Sequence, residues 1–158
     1  MLDSIRARYA RIEGWLKTAP VRSTKLRYDC DAEWFDLVRD SLYGELIHLT
    51  VSTSEGHFYG ETNYYFHAGH LFFVYDGEYY DGVNLEENGR MVTRGGAAFE
   101  TRYYLDEGTL IQQLHKEVRD EEGKTIDEVP NEVVDHGKTS DFPGKSILEI
   151  IKTGVPDC

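Results

Sequence analysis

Four of the six histidines in this chain, His48, His57, His67 and His70, fall within one short stretch, and they are the first residues whose type could do chemistry. Imidazole binds catalytic zinc when three protein ligands leave one position open, and it serves as a general base beside a carboxylate. His67 and His70 flank a Gly69 turn, but their spacing matches no established zinc pattern. Asp29, Asp31 and Glu33 alternate, so on a strand their carboxylates would share a face suited to calcium. Trp34 stands where the sharp turn of a calcium loop needs glycine, and a solvated strand edge bearing charges is the better reading. Gly123-Lys124-Thr125 and Gly137-Lys138-Thr139 end like phosphate loops, yet Val118 and Glu132 occupy the positions of the required earlier glycine. Gly95-Gly96 reads as a turn, and no serine sits in a Gly-x-Ser-x-Gly elbow. Cys30 and Cys158 are too far apart for a short redox or metal motif; a bridge between them requires an oxidising compartment. No catalytic residue, metal ligand or cofactor is therefore assigned from sequence.

The bulk composition narrows the partners. With 29 acidic against 17 basic residues the formal charge is -12. Such a chain repels a phosphate backbone and forgoes counterion release, so nucleic acid is not an expected partner. No apolar run approaches the roughly 20 residues needed to span a bilayer, so membrane insertion is not expected. The first residues, Met1 to Arg6, lack the apolar stretch of a secretory signal. The expected location is periplasmic or secreted if a signal was trimmed, and cytoplasmic otherwise.

Elements must position whatever chemistry exists. Leu2, Ile5, Tyr9, Ile12 and Leu16 recur at helical spacing, which predicts an amphipathic helix over 3–17, capped by Asp3 or Ser4 and stopped by Pro20. From Lys25 to Lys116 the period is two. Ile47, Leu49 and Val51 alternate with His48, Thr50 and Ser52, as in a strand with one buried and one wet face. Short aromatic runs separated by glycine follow, and they read as an antiparallel meander of five to seven strands. From Asp120 to Ser140 the chain is charged and reads as a surface excursion. Ile147, Leu148, Ile150 and Ile151, followed by Gly154, predict a short C-terminal helix. One domain over 1–158 results: a helix at 1–19, a repeated-hairpin sheet at 24–116 and a tail at 117–158.

The sharpest signal is an internal repeat. The stretch from Glu61 to Phe72 recurs from Glu100 to Ile111, with six of twelve positions identical, and Leu42-Tyr43-Gly44-Glu45-Leu46-Ile47 is a weaker echo. Each copy predicts an aromatic strand reversed by a three-residue connection, a type I turn followed by a glycine with positive φ at Gly69 or Gly108. The second copy carries Asp106 and Thr109 where the first has His67 and His70. Adjacent tyrosines point to opposite faces, so one of each pair is expected in the core and the other on an outer ladder. Tyr64, Tyr65, Tyr103 and Tyr104, with Tyr75, are the candidate ligand-binding residues; the alternative is that the N-terminal helix covers the ladder and makes it core.

The leading helix, the Tyr-Tyr-Phe-x-x-Gly-x-Leu hairpins and Gly69-His70-Leu71-Phe72-Phe73-Val74-Tyr75 resemble small uncharacterised bacterial proteins, often secreted or lipid-anchored. More loosely, they resemble the strand repeats of MORN modules and of some antitoxins. The resemblance covers residues 5–116 and implies a fold without catalytic residues. The expected class is α+β, an N-terminal helix packed on an antiparallel β-meander of repeated hairpins, with a short C-terminal helix. The expected function is non-enzymatic binding of an unknown protein or small molecule at the bacterial envelope or exterior. Two alternatives remain: an immunity or inhibitor protein neutralising a basic partner, and a hydrolase using His57, His67 or His70 with a carboxylate. An open sheet edge could pair with a second copy, giving a homodimer.

Overall fold

The computed structural model describes residues 1–30 and 33–134. Helix α1 (Leu2–Thr18) buries Ile5 and Ile12. It starts one residue earlier than its apolar stripe suggests, with Met1 at the cap position, and Ser4 donates to the Met1 carbonyl at 2.7 Å. Ser4 is thus inside the first turn and not the cap. Ala19 is extended (φ -91, ψ 161), because the residue before Pro20 is driven out of helical space.

The remainder is β-structure, ten strands among the described residues in place of the expected five to seven. These are β1 (Arg22–Cys30), β2 (Glu33–Leu42), β3 (Glu45–Glu55), β4 (Phe58–His67), β5 (His70–Tyr80), β6 (Val83–Glu87), β7 (Arg90–Arg94), β8 (Ala97–Asp106), β9 (Thr109–Arg119) and β10 (Glu132–Val134). Eight form one antiparallel sheet in the order β1-β2-β3-β4-β5-β8-β9-β10; β6 and β7 form a separate hairpin. The charged stretch after β9 makes two short 3-10 turns, Asp120–Glu122 and Ile126–Glu128, before β10 returns to pair with β9. The expected C-terminal helix at 145–152 and Cys158 lie outside the described residues.

The repeat is real in three dimensions, with a different turn from the one expected. Tyr43-Gly44, Ala68-Gly69 and Glu107-Gly108 all have both residues at positive φ, between 47° and 81°. His67 pairs directly with His70 and Asp106 with Thr109, so each connection has two residues, as in a type I′ turn. This mirror-image turn matches the right-handed twist of its strands, which a type I turn does not. Asn88-Gly89 reverses β6 into β7 in the same way.

A second shared feature lies just beyond each repeat turn. Register slips by one residue between Asp40/Ser41, Tyr65/Phe66 and Tyr104/Leu105, so Ile47, Phe72 and Ile111 are unpaired extra residues, or β-bulges. Alternation breaks at each. Leu46, Leu71 and Leu110 join the cluster on one face, whereas Ile47, Phe72 and Ile111 join the cluster beneath α1. Phe73, the residue after the bulge, also packs beneath α1. The bulge thereby delivers two consecutive side chains to the helix.

Both faces are buried at the centre of the sheet. Tyr65, Phe73 and Tyr104 lie under α1 with Ile5 and Ile12, while Tyr64, Leu49 and Val74, all 0% exposed, lie in the opposite cluster. Of the two readings of the tyrosine pairs, the helix-covered core is the one found and the outward ladder is corrected: all four are buried, because α1 covers one face and the other is a core of its own. The same covering buries His48, read from sequence as part of a wet face.

Candidate functional site

Cross-strand neighbours share a face, so the register places side chains from distant parts of the chain in rows beneath α1. One row runs Ser23, Asp40, His48, Tyr65, Phe73, Tyr104, Gln112; the next runs Lys25, Val38, Thr50, Asn63, Tyr75, Arg102, Leu114. Helix α1 lies over the first row. Tyr9 meets Tyr65 edge-on at 5.0 Å and Phe73 at 5.1 Å, and Tyr65 donates its hydroxyl to Glu13 at 2.7 Å.

Where the first turns of α1 pass over β8 the packing leaves a pocket of about 180 Å³, lined by Ile5, Arg6, Tyr9, Phe73, Arg102 and Tyr104. Its chemistry is uneven. Three aromatic rings and an isoleucine form walls, two guanidiniums add charge, and none of the six is a carboxylate. Arg6 lies over the Tyr104 ring at 6.0 Å and pairs outward with exposed Asp3 at 3.4 Å. Arg102 stacks over Tyr75 at 5.1 Å and donates to Asn131 Oδ1 at 2.6 Å, which fixes the guanidinium without neutralising it. Burial and the Glu13 charge hold the Tyr9 hydroxyl above the usual phenol range, with Arg102 opposing them. That hydroxyl remains a donor at neutral pH.

The tyrosines singled out from sequence divide around this pocket. Tyr104 forms one wall, half-buried Tyr75 supports Arg102 from outside it, and Tyr65 sits behind Tyr9. Tyr64 and Tyr103 face the opposite core, where burial raises both phenols, Tyr103 to about 12. Sequence reasoning missed Arg6 and Arg102. The only signal available was that each stands two positions from an aromatic or on a helix stripe's edge, which many surface arginines share.

Two polar networks share the same face. Ser23 donates to Asp40 at 2.5 Å; His48 Nδ1 lies 2.8 Å from Asp40 and its Nε2 lies 2.9 Å from Asn63 Oδ1. Asn63 donates to Glu61 at 3.0 Å, which fixes its amide orientation and leaves Oδ1 as the acceptor for His48. Tyr59 donates to the other Glu61 oxygen at 2.5 Å, and that bond pushes its phenol up to about 12. Serine, aspartate and histidine are present, but the carboxylate stands between the other two. The hydroxyl therefore has no base, and the row is not a nucleophilic triad.

The second network is centred on Glu100, 3.5 Å from Lys116 with both side chains buried, and bonded by Tyr75. Between Glu61 and Glu100 in the row lies Gly77, whose missing side chain leaves room for the Tyr79 ring; a Cβ there would stand 2.9 Å from the Tyr79 hydroxyl. On the opposite face His115 meets Thr101 at 2.9 Å. His57, His67 and His70 are exposed at turns or strand ends. Among the described residues no group of three or more His, Cys, Asp or Glu is disposed to hold a metal, and no helix is long and apolar enough to cross a membrane.

Compared with protein-family models, curated proteins and solved structures, the chain matches none of them.

Proposed function

We propose that the protein is a non-enzymatic binding protein whose site is the pocket between α1 and β8, and whose ligand is a small organic anion with a flat apolar body. The observation that carries this reading is the pairing of Arg6 and Arg102 on an aromatic pocket without a lining carboxylate, in a chain of formal charge -12. Arg6, exposed and 3.4 Å from Asp3, and half-buried Arg102 both present guanidinium donors to an anion in the pocket. A carboxylate meets a guanidinium through two parallel N–H···O bonds. Tyr9, Phe73 and Tyr104 supply the walls for the ligand's body. About 180 Å³ is below the roughly 300 Å³ of sites for drug-sized ligands, so a single ring bearing an acid group is the matching size.

The test uses benzoate and its neutral counterpart benzamide, followed by calorimetry and by resonances of the lining rings. Benzoate is expected to bind at least tenfold more tightly than benzamide and to shift Tyr9, Phe73 and Tyr104. Paired Arg6→Met and Arg102→Met changes are expected to abolish the preference while the protein stays folded. Equal binding of the two probes, or benzoate binding that survives both substitutions, overturns the proposal.

A further inference from the structure

Strand β1 ends the sheet, and among the described residues no strand pairs with its other side. It has nine residues, runs in unbroken register with β2 from Arg22↔Ser41 to Cys30↔Glu33, and contains no proline. Natural sheets blunt such edges by making them short, bulged or proline-bearing. At the opposite edge β10 has three residues among those described. Edge β1 keeps only its charges.

Those charges are of the wrong sign for the rest of the molecule. Arg22, Lys25 and Arg27 lie on a strand of an acidic chain, exposed from Arg22 through Arg27. Arg27 is held by Asp36 at 2.8 Å and lies 4.5 Å from the Trp34 ring. Arg22 and Lys25 form no ion pair among the described residues. Leu26, on the face that Arg22 shares and Lys25 does not, is 46% exposed. We infer that β1 is a docking edge for an extended acidic segment of another protein, which adds as a further antiparallel strand. Main-chain bonds to the open side of β1 supply affinity, a carboxylate opposite Lys25 supplies sign, and an apolar residue beside Leu26 on the other face supplies register.

A second copy of this chain is the obvious competitor, and the charges of β1 act on it register by register: centred on Arg27, self-pairing sets Lys25 against Asp29 twice. Antiparallel self-pairing centred on Leu26 sets Lys25 against Arg27 twice on one face, and like charges directly opposite are destabilising. An acidic strand meets Lys25 without setting any cation against another, and the sedimentation arm of the test separates it from a second copy. This edge is formed by β1, whereas the anion pocket is formed by α1, β5 and β8, so the two readings stand or fall separately.

The probe is an eight-residue peptide alternating Glu and Val, compared with its Lys-Val counterpart and with a copy N-methylated at alternate residues. The Glu-Val peptide is expected to slow amide exchange within Arg22–Cys30, to weaken several-fold between 50 and 300 mM salt, and to bind several-fold less tightly to a Lys25→Glu protein of unchanged melting temperature. Equal binding of the Lys-Val or N-methylated peptide overturns the inference, as does failure of the Glu-Val peptide to bind. Displacement of the peptide by benzoate reassigns it to the pocket and also overturns the inference. Sedimentation as a dimer, with β1 amides already protected before peptide is added, gives the edge to a second copy and overturns it too.

Discussion

Tyr65 and Glu13 are 52 residues apart in sequence and 2.7 Å apart in the fold, the tyrosine hydroxyl donating to the helix carboxylate. This bond fixes the rotation of α1 on the sheet, because Tyr9, one turn before Glu13, then falls against Tyr65 and Phe73. The pocket wall is set by that rotation. Burial and the Glu13 bond together raise the Tyr65 phenol well above its ordinary value, so the hydroxyl stays a donor throughout the neutral range.

Tyr65→Phe keeps the ring and removes the donor. A hydrogen bond to a charged group contributes about 1.5–3 kcal/mol, and a loss of about 2 kcal/mol in urea unfolding is expected. Since the helix also loses its rotational lock, benzoate affinity should fall although Tyr65 does not line the pocket. Unchanged stability would show that packing alone seats α1.

The buried Asp40 depends on His48. His48→Leu fills similar space but strips the carboxylate of its 2.8 Å partner, leaving Ser23 alone to satisfy it. Leaving a buried carboxylate short of a hydrogen-bond partner costs about 1–3 kcal/mol. Adding Asp40→Asn to His48→Leu should recover part of that loss, and the double-mutant cycle measures the coupling. Strict additivity would place the two residues in separate networks.

Turn strain can be relieved at one position. Ala68 holds φ at 49°, a region that Asn tolerates far better than Ala. Ala68→Asn creates the pair already used at Asn88-Gly89, and it is expected to stabilise the protein by about 0.5–1 kcal/mol, read as a higher melting temperature. A lower melting temperature would contradict the type I′ geometry.

Asp76 sets a pH dependence. It accepts from Thr62 at 2.6 Å on the face opposite α1, and burial holds its carboxyl above the ordinary aspartate value of 3.8. The folded state therefore holds this proton more tightly than the unfolded chain does. Its contribution to stability is fully present below about 3.8 and is lost as pH rises through the folded value. Glu78 is raised in the same sense, by its own burial and by the Asp76 charge. Asp76→Asn should raise stability at pH 7 and flatten its decline between pH 4 and 7, as followed by chemical unfolding across that range.

Much of this architecture could be read from spacing. The stripe from Leu2 to Leu16 found α1, and the recurrence of Tyr-Tyr with a following glycine found two hairpins and hinted at the third. The bulges at Ile47, Phe72 and Ile111 were hidden, because an extra residue looks like a short apolar run, and a run does not say which face it serves. Asn88-Gly89 carried a strong hairpin signal that went unread inside a polar stretch. The pocket was out of reach. Arg6 lies on α1 and Arg102 on β8, and only the strand order, with β8 beside β5, brings Arg102 beneath the helix that carries Arg6.

The β6–β7 hairpin occupies the one connection where the main sheet needed almost nothing, since Tyr80 at the end of β5 already faces Ala97 at the start of β8. Whatever stands between those two partners hangs outside the ladder, and its apolar side chains Val83, Leu85 and Met91 are exposed. Lengthening such a segment adds only slowly to the entropy of closing it. The frame can therefore accept foreign peptide between 82 and 95 without shifting a single pair around it, which makes this tip the natural port for grafting a new recognition sequence onto an otherwise fixed sheet.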